Sequence, residues 1–262
     1  MKPDYKNWIP KGMVCGLLAA MVLTLAACIL FALFGPARGW LRTVLGAAFG
    51  VAFFVCAWYA EWCTHAYKTF SYDGERRLSW HIIEGTADCI TLPTGGIGLD
   101  VGCGSGALTI ACARRNPQGK MIGIDRWGKE YASFSLPLCR NNAKAEGVAN
   151  TEFQRGDAVK LDFPDESFDA VTSNYVYHNI SGADKQQLLL ETLRVLKKGG
   201  TFAIHDLMSP RRYDDMQAFV KKLRNMGYEQ VELIDTTNGK FMSPKEAKRL
   251  MLTGSTLLTG KK

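Results

Sequence analysis

The run Ile97-Gly98-Leu99-Asp100-Val101-Gly102-Cys103-Gly104-Ser105-Gly106 decides the fold, because a strand pattern passes straight into alternating glycines and then into the helix-like segment Ala107 to Arg115. Glycines lack Cβ atoms, so the backbone can approach a ligand closely, and the helix start offers unpaired N–H groups and a partial positive charge. A small ligand with an anionic group suits that corner. Nineteen residues after Gly106, the run Met121-Ile122-Gly123-Ile124-Asp125 ends in a carboxylate, where nucleotide-binding α/β folds set an acid on ribose hydroxyls. The glycine spacing is G-x-G-x-G, whereas a pyrophosphate is cradled by G-x-G-x-x-G, so a nucleoside without a diphosphate fits better.

Outward from this motif, strand-like runs near 97–101, 120–125, 151–154, 168–173, 201–205, 230–235 and 255–259 alternate with helix-like runs at 78–90, 106–115, 131–146, 183–196, 211–226 and 244–251. Such alternation predicts an α/β domain with a largely parallel sheet.

Five segments in order make the chain resemble the class I S-adenosylmethionine-dependent methyltransferases over roughly residues 72–262. Gly98 to Gly106 resembles the family's first motif, Gly123-Ile124-Asp125 its ribose-binding acid, and Gly156-Asp157-Ala158 its adenine-contacting turn. Phe168-Asp169-Ala170-Val171 resembles the fourth strand, and Leu193 to Gly200 the helix-turn before the fifth. The resemblance implies a Rossmann-like seven-stranded methyltransferase sheet with helices on both faces and an antiparallel last strand, which Ser255 to Thr259 can supply. It also implies S-adenosylmethionine as cofactor, with contacts at Asp100, Gly102, Cys103, Gly104, Gly106, Asp125, Arg126, Asp157, Ala158 and Asn174. Asp125 is expected to accept the ribose hydroxyls and Asp157 the adenine amino group, although an Asp after Gly156 also suits plain turn capping. Tyr72 is a weaker candidate for the methionine end.

On the substrate side, methyl transfer needs in-line alignment, which contributes ~7 to 11 kcal/mol, and gains only ~10²- to 10⁴-fold from a general base. Ser173-Asn174-Tyr175-Val176-Tyr177-His178-Asn179 follows the fourth strand, at the sheet edge where ligands bind in such folds. His178 is the preferred base or substrate orienter, with capping of a helix beginning near Ser181 as its rival role. Tyr175 and Tyr177 are expected to alternate across an extended segment, so that only one faces the cofactor. His205 and Asp206 end the fifth strand and form a second candidate pair. His178, Tyr175 and Asp206 are thus the catalytic candidates. No Asn-Pro-Pro-Tyr motif follows the strand and no cysteine lies beyond Cys139, which disfavours amino methylation of adenine or glutamine and arsenic methylation.

Ahead of the domain, Met13 to Phe34 form 22 residues without a charge, about 33 Å as a helix against a hydrocarbon core of about 30 Å. A second uncharged run, Thr43 to Ala60, has 18 residues. With Gly35 to Trp40 as a tight turn between them and Trp8, Trp40, Trp58, Tyr59 and Trp62 at the flanks, the pattern predicts a transmembrane helical hairpin in residues 1–62. A juxtamembrane linker at 63–76 and the methyltransferase domain at 77–262 complete the expected division. Gly12-xxx-Gly16 and Gly46-xxx-Gly50 are compatible with a close helix pair. Lys2, Lys6 and Lys11 before the first span and Lys68, Arg76 and Arg77 after the second outnumber Arg38 and Arg42 between them, so a multi-pass cell-membrane protein with a cytoplasmic domain is expected. Leu25-Ala26-Ala27-Cys28 looks like a lipoprotein box, but the apolar run continues past it.

The whole chain carries 32 basic and 25 acidic groups. Only five and two of them fall in residues 1–62, so the remaining domain has a modest basic excess scattered in doublets, which read as solvated faces, and nucleic acid is disfavoured. The eight cysteines include no C-x-x-C pair, so neither a metal site nor a disulfide framework is expected. The leading expectation is methylation of a small or lipid-soluble acceptor at the cytoplasmic membrane face, with the lipid bilayer as partner. The alternative is a membrane-tethered module that binds the cofactor, or scaffolds a partner, without turnover.

Overall fold

The structure is a computed structural model that describes residues 2–34, 39–128 and 133–262. It falls into two compact units, residues 7–79 and a sheet unit of residues 80–262 joined by the first residues of the chain.

The smaller unit is built on α1 (Lys11–Phe34) and α2 (Trp40–Phe70). Both are long and apolar enough to cross a membrane, and α1 has no buried residue. A helix that is apolar all round and still exposed suits lipid better than the core of a soluble protein. The two helices interlock. Phe31 stacks on Phe49 with ring centroids 5.4 Å apart, the Cys28 thiol donates to the Gly46 carbonyl at 3.4 Å, and a Cβ on Gly50 would lie 3.6 Å from Cys28 Sγ. Gly50 therefore lines the packed face and Gly46 contributes its carbonyl there, whereas a Cβ on Gly12, Gly16 or Gly46 would meet nothing within 4 Å. Arg42 donates to the carbonyls of Phe31, at 3.1 Å, and of Ala32, so a cation closes the end of α1. Helix α2 runs on past Ala60 to Phe70, through the first part of the expected linker. The expected turn at Gly35 to Arg38 lies outside the described residues.

The sheet unit begins within α3 (Leu78–Ala87) and contains β1 (Ile97–Val101), α4 (Ala107–Arg115), β2 (Lys120–Asp125), α5 (Leu136–Ala145), β3 (Thr151–Arg155), β4 (Phe168–Asn174), α6 (Lys185–Arg194), β5 (Leu196–Leu207), α7 (Pro210–Tyr213), α8 (Met216–Asn225), β6 (Gln230–Asp235), α9 (Pro244–Arg249) and β7 (Ser255–Lys261). The strand order is β3-β2-β1-β4-β5-β7-β6, with β7 antiparallel to both its neighbours. Successive strands are added in opposite directions on either side of the parallel pair β1 and β4, and a crevice opens outside the strand ends at such a switch point. Leu99, Val101, Ile124, Val171, Phe202 and Ile204 form the buried centre, each contributing about 1.5 to 3 kcal/mol of apolar burial. Asp169 fixes the register: it accepts from Ile97 N at 2.8 Å and from Lys197 Nζ at 2.9 Å, tying β4 to β1 and β5.

Three expected helices change their limits for local reasons. The run 211–226 breaks into α7 and α8 because Asp214 turns left-handed at φ 55° and Asp215 caps the new helix, accepting from Gln217 N and Ala218 N. Helix α6 starts at Lys185, capped by Asp184. Helix α5 starts after Ser135, and residues 131–132 of its expected start lie outside the described residues. The chain's first residues join the sheet unit. Asp4 N donates to Asn142 Oδ1 at 2.7 Å, and Asn142 Nδ2 returns bonds to the carbonyls of Asp4 and Ser105.

Candidate active site

The loop after β1 is shaped by three left-handed glycines, Gly102 (φ 74°), Gly104 (φ 54°) and Gly106 (φ 82°). At this conformation an L side chain costs ~1 to 2 kcal/mol. Gly102 also has no room, since its Cβ would lie 2.3 Å from Val176 Cγ2. Gly104 differs: the atoms nearest its Cβ among the described residues are those of the Phe134 ring, at 3.7 Å, so among the described residues this side of the loop is open. The amides of Gly102 and Cys103 donate to Ile124 O, which pins the loop to β2.

At the tip of β2, the Asp125 carboxylate accepts from Gly104 N at 2.9 Å through Oδ2 and from Trp127 N at 2.7 Å through Oδ1. An ionised carboxylate has about four lone-pair sites, so acceptor capacity remains for hydroxyls on the open side. Trp127 also donates its indole N–H to Gly104 O at 2.9 Å. Sequence reasoning missed Trp127 and Phe134. The available signal was an aromatic residue two positions after the acid.

Two expected cofactor contacts have their side chains in the scaffold. Asp100 is fully buried and faces the scaffold, accepting from Thr109 Oγ1 at 2.6 Å and Thr172 Oγ1 at 3.0 Å, so it ties β1 to α4 and β4. Burial pushes its carboxyl up to about 6, against the pull of the two threonine hydroxyls. The Cys103 side chain is buried too, and burial, then the neighbouring Cys139 thiol, raises its pKa well above the usual thiol value. Only its backbone belongs to the loop. Asp157 is exposed, and its Oδ1 accepts from Val159 N at 2.9 Å, the turn geometry of a capping Asp. Ala158 packs against the core, and Arg126 is exposed just past β2.

Beyond β4 the chain does not stay extended. Tyr175 is left-handed at φ 55°, and Tyr177 to Asn179 form a 3₁₀ turn. The expected alternation of the two tyrosines therefore fails. Tyr177 turns into the core, its hydroxyl on Thr192 at 2.5 Å, and the Tyr175 hydroxyl is held by Ser255 at 2.6 Å. Tyr175 offers its ring, 4.7 Å from that of His205 and 6.0 Å from that of His178.

The same turn brings His178 onto Asp206, with Nδ1 and Oδ1 2.5 Å apart. His178 caps no helix. The Asp206 side chain is fully buried, whereas that of His178 is 16% exposed. Asp206 also accepts from the backbone amides of Tyr177, His178 and Leu207. Burial pushes its carboxyl up, but the His178 hydrogen bond and charge and the Leu207 amide outweigh that and hold it below the usual carboxylate value. An ionised carboxylate only accepts, so the proton between them sits on Nδ1, and in the neutral ring Nε2 is the acceptor. His205 is not the partner of Asp206. It is wedged between Asn174 at 2.8 Å and Thr236 at 2.9 Å, and burial lowers its pKa to about 3, so it stays neutral.

A loop of left-handed glycines after β1, a carboxylate with spare acceptor capacity at the tip of β2, and a seven-stranded sheet with an antiparallel last strand define an S-adenosylmethionine-dependent methyltransferase fold. The family model described as a methyltransferase domain matches residues 95–251. The chain belongs to that family, whose cofactor is S-adenosylmethionine, and the left-handed open loop with its neighbouring carboxylate fits that nucleoside. Among known proteins it is 33% identical over 120 residues to a demethylmenaquinone methyltransferase of Roseiflexus castenholzii, covering 46% of this chain and 46% of the relative. It is 34% identical over 125 residues to a 2-phytyl-1,4-naphtoquinone methyltransferase of Thermosynechococcus vestitus, covering 47% and 52%. The chain spans about half the length of these curated relatives. The solved structure of the [4+2]-cyclase SpnF matches with a TM-score of 0.54 at 20% identity, covering 71% of this chain and 82% of that one. That likeness concerns the fold alone, and a fold does not dictate a reaction.

Proposed function

We propose that the protein transfers a methyl group from S-adenosylmethionine to a quinone-type, lipid-soluble acceptor in its reduced form, and that α1 and α2 anchor it in the membrane with the sheet unit on the cytoplasmic face. The observation that carries this reading is a single sheet edge holding both the glycine loop after β1 and a carboxylate-braced imidazole, His178 in the turn after β4 on Asp206 of β5. The names of the two relatives, both acting on naphthoquinone-type compounds, support the acceptor class.

When bound, S-adenosylmethionine supplies an electrophilic methyl group on a sulfonium. Gly104 would leave its nucleoside room on the open side of the loop that Gly102 and Gly106 turn, Asp125 would orient the ribose through its hydroxyls, and Asp157 and Ala158 would border the adenine, with Asn174 toward the transferring end. His178 Nε2 takes the proton of an acceptor hydroxyl while Nδ1–H stays on Asp206, which holds the ring in the accepting tautomer and offsets the charge that develops. Loss of that proton would raise electron density on the acceptor for the cofactor's methyl group, and a ring carbon methylated in this way would give up its hydrogen, restoring the proton on the acceptor oxygen. The products are methylated acceptor, S-adenosylhomocysteine and the proton on His178. The ring of Tyr175 supplies a wall, its hydroxyl remaining on Ser255.

The test is release of S-adenosylhomocysteine by the detergent-solubilised full chain supplied with a reduced isoprenoid naphthoquinone that has an open ring position. Release matched by methylated quinol is expected, and Asp125→Ala should suppress it. Tight cofactor binding with no release above an acceptor-free background overturns the proposal in favour of a tethered binding module.

A further inference from the structure

The connection from β6 to β7, residues 236–254, is far longer than two adjacent antiparallel strands require. It sits at the carboxyl edge of the parallel strands, beside the candidate active site. Thr236 bonds His205, and the Phe241 ring lies edge-on to the His205 ring at 5.4 Å. The connection is anchored from within by buried Phe241, Met242, Ala247 and Leu250.

Its outer surface has a different character. Lys240, Lys245 and Lys248 are all exposed, and the one acid of the connection, Glu246, is half-buried in the first turn of α9. Met251, left-handed at φ 58°, projects an apolar side chain that is 68% exposed. Arg211 and Arg212, also exposed, lie on α7, just after Met208, whose N donates to Gly254 O of the lobe at 2.8 Å. Cations surrounding an exposed, flexible apolar side chain are the pattern of a surface that rests on anionic lipid. Nucleic acid is the poorer partner, because no aromatic stacking platform accompanies the charges.

We propose that the β6–β7 lobe is a docking surface for an anionic phospholipid bilayer, with Lys240, Lys245 and Lys248 at the headgroups and Met251 in the interfacial layer. Seated in this way, the lobe holds the mouth of the acceptor site against the bilayer in which a lipid-soluble acceptor dissolves. The lipid contact goes beyond the methyl-transfer reading and is measured without any acceptor, so either can fail alone.

The experiment is hydrogen exchange of the full chain in nanodiscs of phosphatidylcholine, with or without phosphatidylglycerol. Amides of residues 240–252 are expected to exchange more slowly in the anionic discs, and added salt should remove the difference by screening. Lys245→Gln with Lys248→Gln should weaken the seated state about 30-fold, the equivalent of ~1 kcal/mol for each lysine at an anionic surface. Both residues are exposed, so the variant should keep the wild-type melting temperature. Equal exchange in the two disc compositions, or a difference that survives in the double variant, overturns the proposal. Protection of the same amides by a duplex oligonucleotide in place of anionic lipid would also overturn it.

Discussion

Replacing Asp206 by Asn tests the proposed proton acceptor most sharply, because the change is isosteric and its consequence follows from the hydrogen-bond pattern. Oδ2 accepts from Tyr177 N at 2.8 Å and His178 N at 3.2 Å, whereas Oδ1 accepts from Leu207 N at 2.6 Å and faces His178 Nδ1 at 2.5 Å. An amide keeps the two donors at Oδ2 only by turning its NH₂ toward Leu207 and the imidazole. Leu207 N–H then loses its acceptor, at a stability cost of about 1 to 3 kcal/mol. The imidazole must accept through Nδ1, which moves its proton to Nε2 and removes the base. The expected loss in kcat is about 10²- to 10⁴-fold, or roughly 3 to 5 kcal/mol of barrier. S-adenosylhomocysteine release with a quinol acceptor reads kcat, and calorimetric titration reads cofactor affinity, which should stay close to wild type because the cradle lies on other strands. His178→Gln should lose a similar amount, and the double variant little more, since the two residues act as one unit. A folded, cofactor-saturated Asp206→Asn protein with wild-type kcat refutes the reasoning.

Other expectations concern the scaffold. Gly104→Ala should fold, losing ~1 to 2 kcal/mol for its left-handed backbone, yet bind the cofactor more weakly because its methyl enters the open side of the loop. Gly102→Ala should lose more in a thermal melt, since its Cβ would also collide with Val176. Asp100→Asn should raise the melting temperature at neutral pH. The Asp100 carboxyl moves from 3.8 to about 6 on folding, so the native state holds the proton more tightly, and stability falls as pH rises across that interval. The loss reaches about 3 kcal/mol above it. The Asn variant should show a flatter dependence of stability on pH there, and an unchanged slope would count against an ionised buried Asp100.

Much of the sheet was legible because its strands are local patterns: β1, β2 and β6 occupy the residues that apolar runs and flanking glycines mark out. The glycine cradle was legible for the same reason, since left-handed backbone and close approach both demand glycine. What escaped depended on contacts distant in sequence. Asp100 reads as a ligand contact from the motif alone, whereas its carboxylate faces Thr109 and Thr172, which donate to it from α4 and β4. The left-handed turn at Tyr175 sends Tyr177 into the core and aims His178 at Asp206, and no periodicity signals it. His205 and Asp206 are neighbours in sequence, but adjacent strand residues point to opposite faces, so their partners differ. The docking of Asp4 and Tyr5 onto the sheet unit, through Asn142 and Glu146, had no local signature.

Calorimetric titration of the full chain in detergent with S-adenosylhomocysteine bears most directly on the cradle. Saturable heat is expected, weakened about 10- to 100-fold by Asp125→Ala, the equivalent of one charge-assisted hydrogen bond. Absence of heat from the wild-type chain, or unchanged affinity in a folded Asp125→Ala variant, would contradict the account.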